Sequence, residues 1–378
     1  MQKPARITAI DMLRGLVIAL MALDHTRDFF GYALFNAEDL SATTPAWFWT
    51  RWITHLCATV FVLLAGSSAF LRGQGSGVAA LSRYLATRGA MLLVLEATWI
   101  SFSWQLGYNV IILQVIWALG AGMLILALLV WLPRPVIGLV AALLILPHNA
   151  LDAIESKNFL WQAWHQGGFQ PLPDGLGLGG IVIMYPLMPW VGLIAAGYAL
   201  GPVFLWERAR RARFLLASAG VLLLTFLALR AFNVYGDPDP WSAQGHGPMF
   251  DLMSFMRVHK YPPSLLYLCV TAGIGLLLLV LFERMRDNKL LLVFGRSPLF
   301  FYVIHIALIH FLGNLYFTLR FGSVPSFGNG KPLFPDGYTP SLAVVYLAWA
   351  AILALMYVLT LAWQRYRSTP RITGESLA

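Results

Sequence analysis

The sequence is short of charge. Asp, Glu, Lys and Arg make up 11% of its 378 residues, against about 25% in an ordinary soluble domain, which excludes a solvated surface of the usual kind. Cysteine is scarcer still: Cys57 and Cys269 stand far apart inside or beside apolar runs. They carry no ligand spacing and no partner motif, so they read as small apolar residues and not as a disulfide framework or metal site. No sequence spacing supports a metal held by His25, His55 and His310, and no metal is expected. A Gly-x-Ser-x-Gly elbow and a Walker loop are both missing. The run Gly175-Leu-Gly-Leu-Gly-Gly180 lacks a preceding strand and reads as a flexible loop entering a helix, not as a nucleotide site.

What the chain has in quantity is apolar length. Hydrophobic residues make up 59% of it and the mean hydropathy is +0.70. Stretches of about 20 apolar residues, enough to cross a bilayer, fall near 8–30, 54–71, 86–104, 110–132, 135–149, 180–205, 213–232, 264–282, 291–317 and 341–363. This predicts an all-α, polytopic membrane protein of about ten transmembrane helices forming a single domain over 1–378. Fourteen Trp and fourteen Tyr suit interfacial belts. Asp11 and Arg14 interrupt the first stretch and no small-residue cleavage site follows, so it reads as a retained helix.

The cations sort by side. On one set of alternate connections stand Arg27, Arg51, Lys157, Arg230, Arg257, Lys260, Arg320 and Lys331; the other eighteen Lys and Arg, Lys3, Arg6 and Arg371 among them, fall on the opposite set. That bias predicts both termini in the cytoplasm. The net charge of +9 is thereby mostly topology, with the bilayer as partner and no nucleic acid expected. Three long loops, about 30–53, 150–179 and 233–263, lie on the outer side, where long connections commonly carry function.

Ionisable groups within spans are costly and need a partner, water or a task. The first helix has two such places, Asp11 with Arg14 near its start and Asp24-His25 near its end, with Arg27 and Asp28 three residues beyond each member of the pair. His55 starts the second span on the same outer side, His305 sits near mid-depth of the ninth span, and His310 lies nearer the outer side. Neutral histidine is the usual general base near neutral pH. Asp24 and His25 point along different helix directions, so a dyad between them is not assured. Arg14, Arg72, Arg88 and Arg296 can line a cytoplasmic mouth for a phosphorylated donor, because arginine matches phosphate in a bidentate way; an interfacial ion pair is the plainer reading of Asp11–Arg14. Gln105, Asn109 and Gln114 cluster where an acceptor could be held. Glu96, deep in the third span, is expected to be neutral or structurally paired. Gly192, Ala196, Gly197 and Gly201 have the four-residue spacing of close helix packing.

Ile10-Asp11-Met-Leu-Arg14-Gly15, Asp24-His25, Phe61-Val-Leu-Leu-Ala-Gly66-Ser-Ser68, Tyr185-Pro-Leu-Met-Pro-Trp190, Lys260-Tyr-Pro-Pro263 and Phe294-Gly-Arg296-Ser-Pro298…Tyr302…His305…His310 together look familiar. They resemble the bacterial branch of the heparan-α-glucosaminide N-acetyltransferase-like transmembrane acyltransferases over nearly the whole chain. The resemblance implies transfer of an acetyl or short acyl group from cytoplasmic acetyl-CoA, as co-substrate, to an amine or hydroxyl of a sugar-type acceptor across a bacterial inner membrane. It implies a catalytic histidine at the far side, which maps here onto His25 or His55, since no histidine lies between Thr26 and Thr54. On this reading His25 acts as base or is transiently acylated, with direct transfer preferred, and Asp24 or Asp28 tunes it. Asp28, Asn109, Gln114, His305 and His310 position the acceptor, and Arg14, Arg72, Arg88 and Arg296 hold the donor. A homodimer stays open. The competing expectations are a proton-coupled transporter or flippase using intramembrane His and Asp, and a scaffold subunit, for which so many buried polar groups have no purpose.

Overall fold

The computed structural model describes residues 7–31, 36–328 and 331–368. The two ends of the chain, with Lys3, Arg6 and Arg371, lie outside these residues. In chain order the main helices are α1 (Thr8–Phe30), α2 (Pro45–Gly73), α3 (Val78–Gln105), α4 (Val115–Leu129), α5 (Arg134–Ile145), α6 (Leu187–Leu205), α7 (Arg208–Phe232), α8 (Pro248–Met256), α9 (Leu265–Arg284), α10 (Lys289–Arg296), α11 (Pro298–Phe321) and α12 (Leu342–Ser368). Seven of them, α2, α3, α6, α7, α9, α11 and α12, are long and apolar enough to cross a membrane, and α4 and α5 are shorter apolar helices. The protein is therefore mostly helical and multi-pass. Helix α1 has the length but carries Asp11, Arg14, Asp24, Arg27 and Asp28.

Those charges are tolerated because α1 does not face lipid. It is surrounded by α2, α9, α10, α11 and α12, and 17 of its 23 residues are buried. The outer helices show the reverse: the most apolar windows of α7 and α12 are each only 17% buried, against 78% for α9. Backbone contact draws α1 and α10 together. A side chain at Gly15 would meet the Leu291 carbonyl, and one at Gly295 would meet the Asp11 carbonyl. Gly66 and Gly197 do the same where α2 crosses α6, so the small-residue spacing of the sixth span does mark close packing.

Local chemistry corrects three expectations. The ninth span is not one helix. Pro298 has no N–H to donate and pushes the preceding residue out of the helical region, so Ser297 (φ −131°, ψ 50°) divides α10 from α11. The spans expected at 110–132 and 180–205 begin as strands: β1 (Ile111–Leu113) pairs parallel with β3 (Gly180–Ile183), and β2 (Gly168–Pro171) pairs antiparallel with β3. Short runs of β-branched residues explain β1 and β3, and the mostly helical fold thus includes a small sheet. Gly180 thus opens a strand and α6 starts only at Leu187.

Candidate functional site

Helices α1, α2, α3, α4 and α11, the β1–β3 edge and the loop before α9 enclose a cavity of about 680 Å³. Its wall includes Arg14, Ser68, Tyr84 and Arg88 at one end and Asp24, Arg27, Arg51, Lys260 and Tyr261 at the other, with Met21, Phe61, Leu92 and Leu119 among the apolar residues that line the rest. Arg14 and Asp24 are ten residues apart on α1, which at 1.5 Å per residue separates the two ends by roughly 15 Å. The cavity therefore runs along α1, from the side with the dense basic connections toward the side with the long loops.

At the second end the charges close on one another. Arg51 Nη1 donates to both oxygens of Asp24, at 2.9 and 2.7 Å, and Arg27 Nη2 donates to Asp24 at 3.1 Å and to Asp28 at 2.7 Å. Lys260 Nζ stands 3.9 Å from Asp24. The long loops hold these groups in place. Buried Arg230 donates to the carbonyls of Ser254, Phe255, Asp239 and Arg257. Asp237 accepts from His259 N at 2.9 Å and from the Ser264 hydroxyl at 2.7 Å, and His148 Nε2 lies 2.8 Å from Pro263 O. Lys260 and Tyr261 thus sit in a segment pinned from both flanks.

One histidine in the same cavity wall is paired with a second, buried behind it. His25 Nδ1 is 2.9 Å from His305 Nε2, with the rings 19° from parallel. His305 Nδ1 faces two carbonyl oxygens, Tyr302 O at 2.7 Å and Phe301 O at 3.0 Å, and must carry its proton to satisfy them. With both rings neutral the tautomers follow. His305 Nε2 is a bare acceptor, His25 Nδ1–H donates to it, and His25 Nε2 keeps its lone pair. That nitrogen has no hydrogen-bond partner among the described residues, and His25 lines the cavity.

Of the residues given a site role from the sequence, the structure brings His25, Asp24, Asp28, Gln114, Arg14 and Arg88 to the cavity wall, and places His55, His305, His310, Asn109, Arg72 and Arg296 off it. His55 is wholly buried beside it, with Nε2 2.8 Å from Glu38 Oε1 in an ion-pair contact whose N–H is off the line. Burial alone would raise the Glu38 carboxyl, but His55, Arg51 and Lys260 outweigh it and hold its pKa at about 2. His305 reaches the site only by its contact with His25. His310 pins α11 to α3 through Ser103 O at 3.0 Å and stacks on Phe29. Asn109 is an exposed loop anchor whose carbonyl accepts from Gly179 N at 2.7 Å. Arg72 lies over the Tyr84 ring, 5.2 Å from its centre, and Arg296 is exposed at the end of α10. Glu96 has a structural partner: its side-chain Oε1 accepts the backbone N–H of Gln114, at the start of α4.

Arg27, Arg51, Lys260, Tyr261, Trp104 and Tyr302 also face the cavity and went unnoticed as site residues. A signal existed for Lys260 and Tyr261, which belong to the Lys-Tyr-Pro-Pro run, and for Tyr302, one helical turn before His305 on the same face. Among the described residues no group of three or more His, Cys, Asp or Glu is placed to hold a metal ion.

Membrane-length helices around an elongated cavity, with an unpartnered imidazole nitrogen in its wall, define a membrane protein equipped for chemistry inside its own bundle. Residues 6–235 match the family described as heparan-alpha-glucosaminide N-acetyltransferase, catalytic. The chain belongs to that family and is by membership an acyltransferase. The matched segment includes His25 and most of the cavity wall, whereas Lys260, Tyr302 and His305 come from the part of the chain beyond it. No curated protein matches the chain.

Proposed function

We propose that the protein takes an acetyl or short acyl group from acetyl-CoA on the cytoplasmic side of a bacterial inner membrane. It delivers the group to an amine or hydroxyl of a sugar-type acceptor on the outer side. The observation that carries this reading is the free Nε2 of His25, oriented by His305, on the wall of a cavity that connects an arginine-bearing end to an end rich in polar side chains. In this topology α1, α4 and α5 join the seven longer helices to give ten crossings, with both termini cytoplasmic.

The first end suits a phosphorylated donor. Arg88 lies over Tyr84, 5.7 Å from the ring centre, with Met91 Sδ at 3.9 Å as its polar contact, so its guanidinium can meet phosphate. Arg14 shapes the wall by donating to Leu64 O at 3.4 Å and to Ser68. The apolar middle accepts the pantetheine arm. At the far end His25 Nε2 takes the proton of the acceptor hydroxyl or amine as its oxygen or nitrogen bonds to the acyl carbon. The carbon–sulfur bond then breaks, and the proton returns from His25 to the departing sulfur. Asp24, held by Arg27 and Arg51, fixes the charge around this end, with Asp28 and Gln114 facing the acceptor.

The test is His25→Ala in liposomes supplied with labelled acetyl-CoA and amino-sugar acceptors. Loss of a positioned base predicts a rate lower by about 10²–10⁴-fold, and transfer at the wild-type rate would remove His25 from this role.

A further inference from the structure

Three side chains on the cavity wall have a buried polar atom without a hydrogen-bond partner among the described residues: the Tyr302 hydroxyl, Trp104 Nε1 and Arg27 Nε, the last on a guanidinium that is already paired with Asp24 and Asp28. Tyr302 is 3% exposed. An unpaired hydroxyl buried in protein loses its hydrogen bond to water and gains nothing in return, and unexplained instances are uncommon enough to need a reason. The Tyr302 hydroxyl belongs to a side chain that lines an open cavity, so a ligand there can supply the missing partner.

Its position along the cavity narrows what the ligand group is. Tyr302 sits one turn before His305 on α11, and its main-chain oxygen is the closer of the two that fix the His305 tautomer, at 2.7 Å. Its ring centre is 5.4 Å from that of His305. Helical side chains lean toward the N-terminus of their helix, here toward Pro298. The phenol therefore lies on the Pro298 side of the histidine pair, in the wall of the cavity that His25 also lines.

We propose that the Tyr302 hydroxyl donates a hydrogen bond to the acyl carbonyl oxygen and is the electrophilic partner of His25. The role rests on the acyl-transfer reading above. When the acceptor atom bonds to the acyl carbon, the π electrons of the C=O bond move onto oxygen. Tyr302 stabilises that oxyanion while keeping its own proton. As the carbon–sulfur bond breaks, the carbonyl re-forms and the hydrogen bond weakens. Tyr302 and His25 divide the work: one handles the developing negative charge, the other the acceptor's proton. A donor aimed at charge that appears only in the transition state raises kcat without tightening ground-state binding.

Tyr302→Phe removes one oxygen atom that no protein group uses, so a purely structural hydroxyl predicts no loss of stability and no loss of rate. The proposal predicts kcat for acetyl transfer lower by about 10²–10³-fold, the usual effect of deleting one oxyanion donor. KM for acetyl-CoA and the melting temperature stay at wild-type values or the melting temperature rises slightly. The infrared carbonyl band of bound ¹³C-acetyl-CoA lies at lower frequency in wild type than in the variant. Unchanged kcat overturns the role, and so does a rate loss accompanied by a lower melting temperature. If the wild type itself fails to turn over acetyl-CoA, the acyl-transfer reading falls and takes this role with it; an active wild type beside an equally active Tyr302→Phe removes the role alone.

Discussion

At the Arg14 end of α1 the guanidinium is engaged by the bundle itself, through Leu64 O and Ser68 on α2. Ten residues further along, Asp24 is enclosed by Arg27, Arg51 and Lys260, while the next residue keeps a ring nitrogen free. The first end joins two helices with few charges. The second pairs its charges with one another, and beside them His25 Nε2 has no hydrogen-bond partner among the described residues. Ionisable side chains on one helix are thus engaged by a neighbouring helix at one end and mainly by one another at the other. Proximity to a histidine does not tell which is which: Asp24 is next to His25 in sequence, yet its hydrogen bonds go to arginines.

The sharpest way to break this contrast is Asp24→Asn. It leaves Arg27, Arg51 and Lys260 facing one another without their shared anion, and removing one member of a buried ion pair costs about 3–5 kcal/mol. A melt in detergent is expected to show a large drop, partly recovered in the Asp24→Asn/Arg51→Gln double variant. Additive losses would mean that the two side chains do not form a unit. At the opposite end Arg88→Ala is expected to act on binding alone. Loss of one charged hydrogen bond, about 1.5–3 kcal/mol, raises KM for acetyl-CoA roughly tenfold or more, while kcat and the melting temperature stay at wild-type values. A fall in kcat without a change in KM would move Arg88 from the donor mouth to the reacting centre.

The smallest expected effect concerns Glu38, which backs the polar end through His55. Its folded pKa of about 2 lies below the ordinary value of 4.5. Its contribution to stability is therefore complete above about pH 4.5 and disappears as pH falls toward 2. The melting-temperature gap between wild type and Glu38→Gln should be constant from pH 7 to 5 and close below 4.5. A gap that widens in acid has the wrong sign for a depressed carboxylate.

Much of this arrangement was legible in the chain. Apolar lengths located most helices, and the Asp24-His25 step marked one end of the cavity. His305 was visible as a histidine within a span. That it orients His25 was not, because no spacing rule connects residues 280 positions apart. The same limit hid Glu38 behind His55, and Lys260 opposite Asp24. The strands escaped notice because Ile111-Ile-Leu and Ile181-Val-Ile are apolar runs continuous with the helices that follow, and periodicity does not separate a short strand from a helix end. The break at Ser297 was readable from Pro298 and was passed over in favour of one long span.

The enclosure of α1 also bears on how the chain is made. It precedes every other described helix, yet α10, α11 and α12, which close around it, are synthesised last. Charged side chains raise the cost of a helix entering the bilayer alone, and α1 carries five toward its two ends. While the first half of the chain is being inserted, α1 is thus a weak candidate for lipid and a strong one for retention near the insertion machinery. Its final seat is settled only when residues 289–368 arrive to cover it.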